Sequence, residues 1–179
     1  MTVNLRSVYL SSLAAAVRSA IDPGLAVLPA KLDTPAARVQ LGAIGLQESR
    51  LQFRFQKTSD PYVKGPARGL WQFERGGGVR GVMAHRASEK LARMVCEQRG
   101  VRFSESDVHA RLEFDDVLAC CFARLLLLTD PAPLPDPATA DPEVSWDYYI
   151  RNWRPGKPHR ATWNEFLSVA REGILGIEA

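Results

Sequence analysis

The sequence predicts a mainly α, single domain with one long irregular stretch, and three observations carry that reading. Apolar residues recur at spacings of three and four along most of the chain, the period of helix faces rather than strands. Helix starts are marked by Thr34-Pro35, Ser104-Glu105-Ser106-Asp107, Asp141-Pro142 and Thr162-Trp163-Asn164-Glu165, combinations that cap or open helices. Phe114 to Leu128 is apolar on most sides, as expected of a helix at the centre of a bundle. With 179 residues, 46% hydrophobic and 24% charged, the chain suits one domain over 1–179 and excludes wholesale disorder. No apolar run approaches the roughly 20 residues of a bilayer span, which excludes a transmembrane anchor.

The elements follow in order. Leu10, Leu13, Val17 and Ile21 lie 3, 4 and 4 apart and define a first amphipathic helix. Arg6 ahead of Val8–Val17 superficially suits a secretory signal, but Ser7, Ser11, Ser12 and Arg18 interrupt it; a structural helix without an evident signal peptide is preferred. Asp22-Pro23-Gly24 is expected to end this helix, and a connector follows to Asp33. A second helix, capped by Thr34, runs through Val39, Leu41 and Ile44 to about Arg50. Residues 52–81 are rich in Gly, Pro and Arg without a period and are expected to be mostly loop, a length that usually signals function. Ala87 to Arg99 forms a third helix stopped by Gly100, and a short helix opens near Val108. After the central apolar helix, four prolines between Pro131 and Pro137 make a stiff strap. A helix from Asp141-Pro142 carries Trp146, Tyr149 and Trp153 and is broken by Arg154-Pro155-Gly156-Lys157-Pro158. The capping box at Thr162 leads a last helix to Gly173.

Net charge is only +3, yet residues 50–102 carry 12 Lys/Arg against four acids, and residues 103–146 carry nine acids against Arg111 and Arg124. Two partly neutralising faces, or a basic wall facing an anionic polymer, both fit that segregation. Cys96, Cys120 and Cys121 lie in apolar helical stretches with no zinc spacing and read as buried, reduced thiols. His85, His109 and His159 form no helical pair, so no metal site is expected.

Glu48 is the informative residue. Ala37, Leu41, Ile44 and Glu48 are spaced 4, 3 and 4, so a carboxyl group continues an apolar stripe at a helix C-terminus. Poor solvation and the negative end of the helix dipole both disfavour its charge and raise its pKa, as a general acid requires. The competing reading is a structural salt bridge to Arg50, Arg54 or Arg68. In Gly65-Pro66-Ala67-Arg68-Gly69-Leu70-Trp71-Gln72-Phe73, the glycines permit tight backbone paths and Gln72 offers an amide to a sugar or peptide. Trp71 and Phe73 suit either stacking surfaces or core. Trp146, Tyr149 and Trp153 share one helix face and favour core, while Arg154, Lys157 and Arg160 offer cations to carboxylates.

In their order, Glu48-Ser49, a glycine, Ala67 and Gly69-Leu70-Trp71-Gln72 resemble the soluble lytic transglycosylases and goose-type lysozymes of the lysozyme-like superfamily. Their pattern is a helix ending in Glu-Ser, then a Gly-Ala-x-Gly-Leu-Met-Gln segment lining the sugar cleft. GLWQFERGGGV and WDYYIRNWRPGKP are similar to small peptidoglycan-degrading proteins of tailed phages. The resemblance covers mainly residues 36–83 and 145–163. Trp71 replaces the usual methionine, Arg68 is an extra arginine, and the later Ala-Tyr-Asn-Ala-Gly segment is absent; Tyr148 or Tyr149 could stand for its tyrosine.

The resemblance implies a lysozyme-like fold and cleavage of the β-1,4 MurNAc–GlcNAc bond, with Glu48 as acid/base, Ser49 following it, and Gly69, Leu70 and Gln72 in the cleft-lining motif; Glu74, close after Gln72, and Tyr149 are further candidates for the substrate site. Neither metal nor organic cofactor is implied. Conventional glycosidases add a second carboxylate about 5–5.5 Å away when retaining and about 6.5–9.5 Å away when inverting. Glu74 is preferred to Asp60 for that role, with a salt bridge to Arg75 as its competing reading. Lytic transglycosylases need no second acid and are slightly favoured. Peptidoglycan glycan strands are the expected partner, reached during host lysis or from a virion. A virion structural protein, or a binder of cell wall or nucleic acid without turnover, is the alternative. No OB, RRM or helix-turn-helix pattern favours nucleic acid.

Overall fold

Pro23 does not end the first helix. The structure, a computed structural model, describes residues 4–177. In it α1 (Leu5–Ala16) passes through a π-helical turn (Val17–Ile21) straight into α2 (Asp22–Val27). A proline inside a regular α-helix clashes with the carbonyl one turn earlier. Here the Asp22 N–H reaches back to the Val17 carbonyl, and the widened turn makes room for the ring. Gly24 is not a terminator either, because it lies where α2 meets α7 (Asp116–Leu128). A Cβ at Gly24 would fall 2.7 Å from the Cys120 Cβ and 3.3 Å from the Val117 carbonyl oxygen.

The fold is mainly helical, as the sequence predicts, with one small antiparallel sheet. Helix α3 (Pro35–Ser49) starts at Thr34, whose hydroxyl accepts the Ala37 N–H at 3.1 Å. It is buried from Val39 through Gln47 and packs mainly on α9 (Arg160–Leu175). Helix α7 is capped by Asp115 and buried on all sides from Leu118 to Leu127; Phe114 lies outside it, 77% exposed. The core thus has two axes, α3 and α7, wrapped by the other helices. All three cysteines are buried and free, and burial alone pushes the Cys96 thiol up to about 11.

Residues 52–81 hold more structure than their composition suggests. Strands β1 (Phe55–Lys57) and β2 (Lys64–Arg68) pair as a hairpin, and a π-helical turn (Arg75–Val79) leads into α4 (Arg80–Ala84). Helices α5 (Glu89–Gln98) and α6 (Glu105–Leu112) follow, the latter capped by Ser104 as expected. Helix α8 (Pro142–Trp153) begins at Asp141 as read from the sequence. Helix α9 does not begin at the Thr162 box. Its N-cap position is His159, three residues earlier, and the Thr162 hydroxyl meets the His159 carbonyl and Gln47 Oε1 instead. Nor does it stop at Gly173, which packs against Leu13; the left-handed Gly176 ends it.

The two oppositely charged segments bind each other. Arg54 pairs with Asp116, Lys64 and Arg68 with Glu113, Arg80 with Glu105, Arg99 with Asp115 and Arg102 with Asp107. The two largely exposed pairs, Arg80–Glu105 and Arg102–Asp107, contribute little stability, whereas Glu113 and Asp115 are buried acids held by their partners. The larger consequence of all these pairs is that half of the basic residues in 50–102 are already neutralised. No helix among the described residues is long and apolar enough to cross a membrane.

Gly24→Ala tests the α2–α7 contact. Ala is the better helix former by about 1 kcal/mol, yet the extra methyl should cost about 1–3 kcal/mol net through overpacking against Cys120. Urea denaturation at neutral pH measures this, and a stabilised variant would contradict the packing.

Candidate active site

Glu48 occupies the last turn of α3, half-buried, with its carboxyl group in a cleft of about 1310 Å³. Its partner is a hydroxyl rather than a cation: the Tyr149 O–H donates to Glu48 Oε1 at 2.6 Å. The three arginines that could have paired with it are engaged elsewhere. Arg50 turns back over the helix end, donating to the Leu46 and Gln47 carbonyls at 2.8 and 2.9 Å, and lies 4.4 Å above the Phe166 ring. Arg54 and Arg68 are held by Asp116 and Glu113. Burial therefore dominates and pushes the Glu48 pKa up to about 7; the Tyr149 hydrogen bond and then the Arg50 charge pull the other way, and the Glu74 charge adds a smaller push upward. Near neutral pH such a group exists in both protonation states and can give or take a proton.

Helix α8 aims Tyr149 at that carboxyl. Its ring stacks on Trp163 with centroids 5.0 Å apart and planes 12° off parallel, beside Trp146 at 5.3 Å and Trp153 at 6.4 Å. Burial and the neighbouring Glu48 carboxylate raise the phenol pKa, so the hydroxyl stays a donor. The adjacent Tyr148 is used differently, donating to the Leu127 carbonyl at 3.0 Å in the core. Of the two tyrosines, only Tyr149 reaches the acid.

The Gly69–Gln72 segment is a tight turn closed by paired backbone bonds between Arg68 and Phe73 at 2.8 and 2.9 Å. Gly69 has φ +76°, and a Cβ there would meet the Leu112 carbonyl oxygen at 2.9 Å, so the position admits only glycine. The turn drives Leu70 and Trp71 into the core under the helix end. The Trp71 N–H donates to the Leu41 carbonyl at 2.9 Å, and the Ser49 hydroxyl donates to the Leu70 carbonyl at 2.6 Å.

The structure thus divides the expected substrate-site residues. Glu48, Gln72, Glu74 and Tyr149 line the cleft together. Ser49, Gly69 and Leu70 do not. The first and last are buried at 4% and 2% exposure, and all three fasten the wall from behind. Gln72 sits at φ +51° with its amide N–H groups on the Phe53 and Gly69 carbonyls, leaving Oε1 as the atom it offers a ligand. Glu74 is exposed and forms no ion pair with Arg75 among the described residues.

Several cleft residues carried no recognisable sequence signal. Gln47 Nε2 holds the His159 carbonyl at 3.0 Å, clamping the start of α9 beside Glu48. Gln56 brings the hairpin to the cleft rim. Asp130 accepts from Arg151 at 2.6 Å, Asn152 at 2.8 Å and the Ala132 N–H at 2.9 Å. Burial alone would raise its pKa, but those donors together hold it below the ordinary carboxylate value. Asp130 is thereby fixed as an anion, in contrast to Glu48.

No family model, curated protein or solved structure matches this chain.

The raised Glu48 pKa carries a stability signature. A carboxyl whose folded pKa lies near 7 rather than 4.5 binds its proton more tightly in the folded state, so folding loses stability as pH rises between those values. Glu48→Gln removes that loss. Relative to wild type, the variant should gain about 2 kcal/mol between pH 4.5 and pH 8, a figure reduced for the solvent that still reaches the cleft. Denaturant titrations at both pH values measure it, and parallel pH dependences would contradict the assignment.

Proposed function

We propose that the protein is a peptidoglycan-degrading glycosidase that cleaves the β-1,4 bond between N-acetylmuramic acid and N-acetylglucosamine, acting as a lytic transglycosylase. The observation that carries this reading is a carboxyl group that lines a cleft, receives a tyrosine hydroxyl and has no cation partner among the described residues, a setting whose burial pushes its pKa up to about 7. The resemblance of Glu48-Ser49 and Gly69-Leu70-Trp71-Gln72 to the transglycosylase pattern supports it, and the similarity to phage proteins suggests delivery during lysis or from a virion.

In this mechanism Glu48 gives its proton to the glycosidic oxygen as the bond to C1 breaks and positive charge spreads over the muramyl ring. The departing strand leaves with a free hydroxyl. Glu48, now a carboxylate steadied by the Tyr149 O–H, takes the proton from the substrate's own O6 as that oxygen bonds to C1. The product is a 1,6-anhydro sugar, and the enzyme regains its proton. One carboxyl serves as acid and then base, as its midpoint near neutrality allows.

Hydrolysis is the second reading, and Glu74 is the observation that favours it. Its carboxylate lies in the same cleft, free of ion pairs among the described residues and close enough to raise the Glu48 pKa. The product distinguishes the two outcomes.

Glu48→Gln should fold normally and lose about 10²–10⁴-fold of the wall-degrading rate. Zymography on purified cell walls measures the loss. Mass spectrometry of muropeptides released by the wild-type protein should show anhydro ends. Wild-type rates in the variant would refute the mechanism, and reducing ends would replace transglycosylation with hydrolysis.

A further inference from the structure

The cations around the cleft fall into two groups. Arg80 and Arg151 line it but are occupied by Glu105 and Asp130. Arg154 and Lys157, on the connection between α8 and α9, also line it, and neither has a carboxylate partner among the described residues. Arg160, the third cation of this stretch, pairs with Glu143 and packs over the Trp146 ring at 5.5 Å.

This connection is held at both ends. The Trp153 indole N–H donates to the Trp71 carbonyl at 3.0 Å, and the Arg154 N–H caps α8 on the Ile150 carbonyl at 3.0 Å. At the far end Gln47 grips the His159 carbonyl. Pro155 and Pro158 restrict the backbone between them. Arg154 itself is left-handed, with φ 49° and ψ 52°, a conformation that suits glycine better than a side-chain-bearing residue. The fold thus presents two uncompensated cations on a pre-set loop, beside the wall that carries Glu48. Fixed positive groups in a cleft concentrate anions there and orient carboxylates.

We infer that the α8–α9 loop is a carboxylate-binding subsite in which Arg154 and Lys157 hold the lactyl-linked peptide stems of a peptidoglycan strand. The cleft would then select acidic, peptide-bearing glycan over neutral β-1,4 glycan. This rests on the proposed glycan-cleaving function and adds a specificity to it. A neutral strand offers these two cations nothing to bind. Both are exposed, so each contributes modestly, and the pair should account for about tenfold in affinity.

Binding to the Glu48→Gln protein tests the subsite without turnover, followed by intrinsic tryptophan fluorescence. The probes are a GlcNAc–MurNAc tetrasaccharide carrying its stem peptides and chitotetraose. The peptide-bearing probe should bind about tenfold more tightly at low salt, and the gap should shrink as salt rises. Adding Arg154→Ala and Lys157→Ala together should close the gap, with circular dichroism and Tm confirming the fold. Equal affinity for the two probes, no binding of either, or a gap that survives the double substitution would overturn the inference. A gap that closes as expected, in a protein whose wild-type form cleaves no wall, would support the subsite while removing the proposed activity.

Discussion

A carboxyl group at the C-terminal end of a buried helix sits where two effects oppose its charge. Water is largely excluded, and the C-terminus of a helix carries the negative end of its dipole. The usual remedy is a guanidinium, and among the described residues none pairs with Glu48. Arg50, two residues on, is turned back by its own left-handed backbone (φ 59°) and covers the helix carbonyls. What Glu48 receives is the Tyr149 hydroxyl. The surrounding architecture serves that contact: the aromatic stack fixes the phenol, the Leu70-Trp71 plug supports the helix end, and Gln47 ties α9 to the same turn.

The distribution of charge serves it as well. The basic stretch and the acidic stretch are not two independent faces. Arg54, Lys64, Arg68, Arg80, Arg99 and Arg102 reach across to acids of the following segment, and Asp130 is neutralised by Arg151. Once these pairs are made, Glu74, Arg154 and Lys157 line the cleft without an ion-pair partner among the described residues. An arrangement with so many cations engaged elsewhere is poorly suited to an extended anionic duplex and well suited to a groove with a few placed charges.

Much of the helical frame was legible because capping chemistry is local. Thr34, Ser104 and Asp141 mark helix starts with side chains that reach their own backbone, and the structure keeps all three. The misread ends were decided by tertiary contact. Pro23 is absorbed by a π turn, Gly24 and Gly173 exist for close approach to Cys120 and Leu13, and Thr162 is drawn from capping to Gln47. The hairpin at Phe55–Arg68 was hidden because its strands are short and interrupted by Gly and Pro, leaving no alternating pattern to read. At the site, Glu48 was visible as a carboxyl on an apolar stripe. Ser49, Gly69 and Leu70 sit in the same motif, but a motif records proximity to a site without recording which side of the wall a residue faces. Gln47 and Asp130 left no readable pattern, since the His159 carbonyl that Gln47 holds and the side chains that hold Asp130 lie 112 and 21–22 positions away in the chain.

Where the Glu48 proton resides can be read directly. Carbon-13 NMR of the Glu48 carboxyl carbon, assigned by comparison with Glu48→Gln, follows its titration without substrate. A midpoint near 7 is the expected result. A midpoint near 4.5, the value of an ordinary glutamate, would mean that water or an unseen cation stabilises the charge, and the acid–base role would fall with it.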